Sequence, residues 1–154
     1  MAKPEDTLTL ETTKGKVVIE MRPDLAPGHV ARIKELVKDG FYDGIVFHRV
    51  IDGFMAQTGC PQGTGTGGSG QKLKAEFNAE PHVRGTLSMA RAASPDSGDS
   101  QFFICFDDAR FLDKQYTVWG KVTEGMENVD KIKRGEPVQD PDKINSARMA
   151  ADAK

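Results

Sequence analysis

The residues best suited to chemistry lie in the segment Phe47–Gln57, which an Asp-Gly turn signal divides at residues 52 and 53. Apolar residues on both sides of the turn predict two short strands paired as a hairpin. Alternation places Phe47 and Arg49 on one face of the first strand and His48 on the opposite face. We therefore expect Arg49 to project outward and His48 to be largely buried.

Arg49, Met55 and Gln57 together supply a guanidinium, a thioether and an amide, with the ring of Phe54 beside them. A charged, planar donor group next to an apolar surface suits a carbonyl group attached to an apolar ring. The alternative is an ordinary edge strand whose arginine pairs with a surface carboxylate. These residues alone leave both interpretations open.

A second informative segment is the apolar run Gln101–Phe106. Alternation points Phe102 and Ile104 toward the core and Gln101 and Phe103 toward the other side. The second side is therefore also partly covered. The strand is either packed on both faces or forms the wall of a groove.

Other chemistries find little support. The glycine pattern at 65–70 matches G-x-G-x-x-G, but a dinucleotide site needs a helix directly after it. Residues 72–77 alternate like a strand, so we expect a flexible loop instead. His29, His48 and His82 have no metal-ligand spacing, and no serine lies in a G-x-S-x-G turn. We predict neither a cofactor nor a metal.

The chain has 154 residues and a net charge of −2. We expect one domain over 1–154 with its core at about 7–149, and neither nucleic acid nor a membrane as partner. The first residues contain no apolar leader, which predicts a cytoplasmic protein. Cys60 and Cys105 are far apart and suggest neither a disulfide scaffold nor a zinc site, and Cys105 is expected to be buried.

The spacing of apolar residues predicts about eight short strands and two amphipathic helices. The helices are expected from Pro27 to Gly40 and from Met126 to Gly135. Short strands joined by long turns favour a closed eight-stranded antiparallel β-barrel whose ends the helices cap. Besides the hairpin at 47–57, the predicted strands lie at 7–12, 17–21, 73–77, 86–90, 101–106, 117–122 and 144–149.

Several motifs in register resemble the cyclophilins, which are peptidyl-prolyl cis–trans isomerases. The likeness runs from about Leu10 to Arg134. In its compact length and short loops the chain resembles the bacterial cytosolic branch of the family. The motifs that carry it are Gly40–Gly44, Phe47–Ile51, Gly53–Gln57, Gly65–Gly68, Ser88–Ala90, Ser100–Ile104 and Gly120–Val122.

The resemblance implies an eight-stranded antiparallel barrel capped by two helices, with an active groove on its outer surface. It implies that Arg49 is the catalytic arginine. The residues it implies for substrate binding are Phe54, Met55, Phe103 and Leu112 around the proline ring, Gln57, Gln101 and the backbone of Ala90, Arg91 and Ala92 along the peptide, and Gly65 at a neighbouring pocket.

Three positions depart from the family pattern. Phe111 stands where many members carry a tryptophan that binds cyclosporin, so cyclosporin binding is expected to be weakened. Tyr116 replaces a frequent groove histidine but still offers a hydroxyl and a ring, and both Phe111 and Tyr116 are expected among the substrate-binding residues. Arg91 replaces a common asparagine at a position that acts through its backbone. Trp119 is expected in or near the core.

The function that these residues favour is rotation about X–Pro bonds by a monomer. Its substrates would be proline-containing peptides and unfolded or partly folded proteins. The alternative is a proline-peptide binding module, or chaperone, with incidental turnover. A barrel without a groove function is disfavoured by the Gln101 and Phe103 face.

Overall fold

The computed structural model describes residues 3–65, 67–136 and 138–152. Its strands hydrogen-bond in the order β3-β4-β6-β5-β7-β2-β1-β8, and every pairing is antiparallel. The elements are β1 Thr7–Thr12, β2 Gly15–Met21, α1 Pro27–Lys38, β3 Arg49–Ile51, β4 Met55–Thr58, β5 Thr86–Met89, β6 Phe102–Cys105, β7 Val118–Glu124, α2 Met126–Val129 and β8 Ile144–Met149, with short 3₁₀ turns at Pro4–Asp6, Arg110–Leu112 and Ala150–Asp152.

Eight antiparallel strands and two helices confirm the predicted class, but the prediction of a closed barrel was wrong. The sheet is a half-barrel, because no ladder within the described residues joins its edge strands β3 and β8. The backbone between them is irregular. Gly44 N–H donates to the Ile144 carbonyl at 2.6 Å, and Phe47 N–H donates to the Asp142 carbonyl at 2.8 Å. Val46 makes only an isolated bridge, to Lys143, and β3 itself is three residues long and begins at Arg49.

The strand predicted at 73–77 does not form. Leu73 makes a single bridge to Gly98, and side chains hold the remainder of the segment. Glu76 accepts the N–H groups of Gly28 and His29 at 3.0 and 2.8 Å, at the first turn of α1. Separate hydrogen bonds to distant segments, rather than strand pairing, therefore hold this alternating segment in place. No helix follows the glycine motif at 65–70, of which Thr66 lies outside the described residues.

The helix α1 begins at Pro27 as predicted and ends before Gly40, whose φ of +74° is the left-handed conformation that stops a helix. The second helix is shorter than predicted. It ends at Val129, because Lys131 and Ile132 bond to carbonyls three residues back, at 3.1 Å each, and so form tighter turns.

The main core fills the inner face of the sheet. Trp119 is fully buried there and meets Phe102 edge-to-face at 5.3 Å between ring centroids, which confirms its predicted place. Phe47 also lies in this core, not on the face of Arg49, because it precedes β3 and the strand alternation does not extend to it.

A second, smaller apolar cluster lies on the other face of β4 and β6, as the alternation of Gln101–Phe106 indicated. We call it the outer cluster. Its buried members are Met55, Phe103, Cys105 and Ala109, and Ile51, Phe54, Ala90, Leu112 and Tyr116 pack against it.

Candidate active site

Strand register aligns the predicted polar residues beside the outer cluster. Arg49 on β3 pairs with Gln57 on β4, and Gln57 pairs with Phe103 on β6. Residues paired across antiparallel strands project to the same face, so these three side chains are neighbours. Arg49 Nη1 donates to Gln57 Oε1 at 3.2 Å.

Two glutamine amides connect Arg49 to the loop that follows β4. Gln57 Nε2 donates to Gln101 Oε1 at 2.9 Å. Gln101 Nε2 then donates to the carbonyls of Gly65 and Gly67 at 3.0 and 2.9 Å. Each amide accepts on one side and donates on the other, so the hydrogen bonds run from the guanidinium to the loop in a single direction.

Cys60 organises this loop. Its fully buried sulfur accepts the N–H groups of Gly65 and Gly67, each at 3.3 Å. Burial acts to raise the pKa of this thiol, but hydrogen bonds from the backbone at 62, 64, 65 and 67 lower the pKa to about 7. Sequence reasoning missed this role. The available signal was the glycine-rich run after the cysteine, whose flexible backbone can turn several N–H groups toward one atom.

A cavity of about 130 Å³, with both polar and apolar side chains in its lining, opens between Arg49 and the outer cluster. Met55 and Phe103 are buried at its base, and the Tyr116 ring meets Phe103 edge-to-face at 5.9 Å. All four residues predicted around a proline ring therefore lie together. The cavity is lined by Arg49, Phe54, Met55, Gln57, Ala90, Arg91, Phe103, Leu112 and Tyr116.

His82 supports the base of this cavity. Its fully buried ring stacks on Phe103, with centroids 6.2 Å apart, and its two nitrogens contact Ser88 Oγ at 2.9 Å and Asp113 Oδ1 at 3.0 Å. Burial lowers the pKa of His82, and the carboxylate of Asp113 opposes that change in part. A neutral imidazole fixed at both nitrogens holds the Phe103 ring in place, a role that the sequence did not indicate.

A second cavity of about 300 Å³ adjoins the first and is lined by the predicted residues Gly65, Ala90, Arg91, Ala92 and Gln101, among others. The Arg91 guanidinium lies over the Tyr116 ring, 4.6 Å from its centroid, and Arg91 Nε donates to the Gln115 carbonyl at 3.0 Å. The side chain of Arg91 is thus folded back onto the groove wall, which sequence reasoning did not anticipate.

Phe111 lies at the rim of the groove. Its side chain is 67% exposed, and its ring contacts Phe54 with centroids 5.6 Å apart. It does not line the 130 Å³ cavity, whereas its neighbour Leu112 does. Phe111 is thus available to a bulky ligand that extends beyond the cavity.

Arg49 also pairs with a carboxylate. Its Nε donates to Glu136 Oε2 at 2.7 Å, and the two side chains are 39% and 58% exposed. The sequence left two interpretations of Arg49 open, a donor group beside a binding surface and a surface arginine paired with a carboxylate. The structure shows both features, because the same side chain lines a cavity and pairs with Glu136. Glu136 was missed because it lies 87 positions along the chain from Arg49.

The described residues contain no group of three or more His, Cys, Asp or Glu side chains placed to hold a metal ion. Over the same residues, no helix has the length and apolar character needed to cross a membrane.

The fold and the groove define a mainly-β protein with an arginine beside a cavity that apolar side chains line in part, and comparisons with known proteins agree with this class. Residues 7–149 match the family model described as cyclophilin type peptidyl-prolyl cis-trans isomerase. A probable peptidyl-prolyl cis-trans isomerase of Brucella suis is 54% identical over 170 aligned positions, which cover 99% of this chain and 87% of that protein. Isomerase B of Bacillus subtilis is 46% identical over 127 positions, covering 81% and 88%.

Solved structures give the same result. A cyclophilin from Hirschia baltica superposes with a TM-score of 0.92 at 33% identity, covering 99% of this chain and 77% of that one. A cyclophilin-type isomerase of Cryptosporidium parvum, crystallised in the presence of the dipeptide Ala-Pro, gives 0.86 at 28% identity, covering 93% and 98%. The chain belongs to the cyclophilin-type isomerase family. It is a peptidyl-prolyl cis–trans isomerase.

Proposed function

We propose that the substrate proline ring binds in the cavity formed by Phe54, Met55, Phe103 and Leu112, and that Arg49 is the catalytic residue. The observation that carries this proposal is that the Arg49 guanidinium lines the same cavity as the apolar side chains. The Cryptosporidium parvum relative was crystallised in the presence of Ala-Pro, which supports a proline dipeptide as the unit bound.

Rotation about an X–Pro bond must overcome a barrier of ~18–20 kcal/mol that arises from resonance in the C–N link. An enzyme lowers this barrier by binding the twisted bond more tightly than either planar form. In the twisted form the nitrogen gains a lone pair that can accept a hydrogen bond. Arg49 has five N–H groups, and two of them are taken by Gln57 and Glu136. Within the described part of the chain the other three have no partner and are available for the nitrogen and the prolyl carbonyl.

The remaining predicted contacts extend along the peptide. The amides of Gln57 and Gln101 and the backbone of Ala90, Arg91 and Ala92 would bind the chain before the proline. Gly65 would border the next side chain, and the Tyr116 ring would close the proline cavity. This assignment is supported by their common placement along the two adjoining cavities.

We further propose that the clients are unfolded or partly folded proteins and that the enzyme acts as a cytoplasmic monomer. An open groove on the outer face suits an extended peptide. Among the residues that the structure describes, the exposed large apolar side chains are Phe77 and Phe111, which gives little support to a permanent interface. Any binding of cyclosporin is expected to be weakened, because Phe111 lacks the N–H of an indole.

The test is NMR exchange spectroscopy on an Ala-Pro peptide, which reports binding and isomerisation separately. Arg49→Ala should lower the isomerisation rate at least ~10-fold, equivalent to about 1.4 kcal/mol of transition-state stabilisation. Arg49→Lys should recover only part of it, because lysine lacks the planar set of donors. Arg22→Ala, which removes an arginine paired with Asp24 at 2.8 Å, is the matched control.

A folded Arg49→Ala variant with unchanged exchange rates would refute the catalytic assignment. The same experiment addresses the alternative of a binding module. If the cell requires only binding, the Arg49→Ala variant should bind a client protein with unchanged affinity. A strain that carries this variant should then grow as the wild type does.

A further inference from the structure

Glu136 is placed beside Arg49 by backbone pairing rather than by chance contact. Val50 and Gly135 exchange both of their backbone hydrogen bonds at 2.8 Å, as in an antiparallel bridge. In such a bridge the residue before Val50 lies opposite the residue after Gly135. Glu136 is therefore the cross-strand neighbour of Arg49 on one side, as Gln57 is on the other.

The two neighbours hold different atoms of the guanidinium. Glu136 accepts from Nε at 2.7 Å and Gln57 accepts from Nη1 at 3.2 Å. The guanidinium is planar, so hydrogen bonds at two of its nitrogens fix the orientation of the plane as well as its position. Among the described residues Nη2 has no hydrogen-bond partner, which leaves this nitrogen free for a ligand in the cavity that Arg49 lines.

We infer that Glu136 is a positioning residue for the isomerase reaction. Its carboxylate holds Arg49 Nε so that the Nη groups meet the twisted peptide bond. A free arginine side chain samples many rotamers, and only some of them aim the donors at the cavity. This inference depends on the proposed catalytic role of Arg49, because Glu136 acts only through that residue.

The experiment is a double-mutant cycle with Glu136→Ala and Arg49→Ala, measured as kcat and as peptide Kd by NMR. With Arg49 present, Glu136→Ala should lower kcat about fivefold, the upper range for a partly exposed ion pair, and leave Kd within twofold. With Arg49 replaced, the same change should have no effect. Glu136→Gln keeps an oxygen acceptor and should lose less activity than Glu136→Ala.

A spectroscopic readout separates positioning from a general loss of stability. The Nε–H resonance of Arg49 should shift in Glu136→Ala while the backbone resonances of β4 and β6 stay in place. Glu35→Ala is the matched control, since Glu35 is also an exposed carboxylate paired with an arginine, Arg32, at 3.3 Å. It should change neither kcat nor the Arg49 signal.

The outcomes are distinguishable. If Arg49→Ala is inactive but Glu136→Ala retains or exceeds wild-type kcat, the positioning role is refuted and the catalytic role of Arg49 stands. An equal loss from Glu136→Ala in both Arg49 backgrounds also refutes it, because the effect would not pass through Arg49. If Arg49→Ala keeps full activity, the proposed function itself fails.

Discussion

The thiol of Cys60 should make the stability of the protein rise with pH between 7 and 9. Its pKa is about 7 in the folded chain, against an ordinary value of 9.0. A thiol with a lowered folded pKa contributes stability that is complete above pH 9 and is lost as the pH falls through 7. The folded and unfolded pKa values differ by about two units, and at 1.36 kcal/mol per unit this corresponds to ~2 to 3 kcal/mol in the free energy of unfolding.

Few other groups with a shifted pKa act in this window. Burial lowers the pKa values of His29, His48 and His82, so their effect lies below the ordinary value of 6.5. Burial raises the pKa of Cys105 to about 12, which destabilises the fold only above pH 9. A slope between pH 7 and 9 can therefore be assigned to Cys60.

The assay is urea unfolding followed by the fluorescence of Trp119, repeated at half-unit steps from pH 6.5 to 9 under reducing conditions. The wild type should gain stability over this range, and Cys60→Ser should give a flat profile because serine does not ionise there. Cys105→Ala should keep the slope. A flat wild-type profile, or an unchanged slope in Cys60→Ser, would show that the loop N–H groups do not stabilise a thiolate.

Two further substitutions test the core and the rim of the groove. Tyr42→Phe removes a buried hydroxyl that donates to the Ser100 carbonyl at 2.9 Å, and should lower the free energy of unfolding by ~1 to 3 kcal/mol in urea titrations. A loss below the error of the titration would mean that this carbonyl finds another donor. Phe111→Trp supplies an exposed indole N–H at the rim and should tighten cyclosporin binding about fivefold by calorimetry, the equivalent of one hydrogen bond. Phe111→Leu lacks the donor, and equal affinities for the two variants would contradict the argument.

Sequence reasoning succeeded where periodicity and local turn chemistry determine the result. Alternation predicts that Phe103 on β6, and Gln101 directly before the strand, face away from the main core, because alternation is a property of the strand itself. It failed where partners come from distant segments. The alternation at 73–77 is produced by contacts to α1 and to Asp96, and no local signal distinguishes them from a strand.

The site shows the same division. The placement of Arg49 and Gln57 beside a cavity could be predicted from two segments and the family resemblance. The roles of Glu136 and His82 could not, because a lone carboxylate in a turn and a lone histidine carry no periodic pattern. The closed barrel was wrongly predicted because a count of eight strands does not show their lengths. At three residues, β3 forms no ladder with β8 within the described part of the chain.

The pairing of distant segments has a consequence for the timing of activity during synthesis. Arg49 lies next to Val50, which is held by Gly135, and the irregular segment before it bonds to residues 142 and 144. The strand β1 likewise needs β8, with Leu8 opposite Met149. A nascent chain on the ribosome cannot complete these contacts until about residue 149 has left the exit tunnel. The site around Arg49 therefore cannot form until the distant segment at 135–149 has emerged from the ribosome.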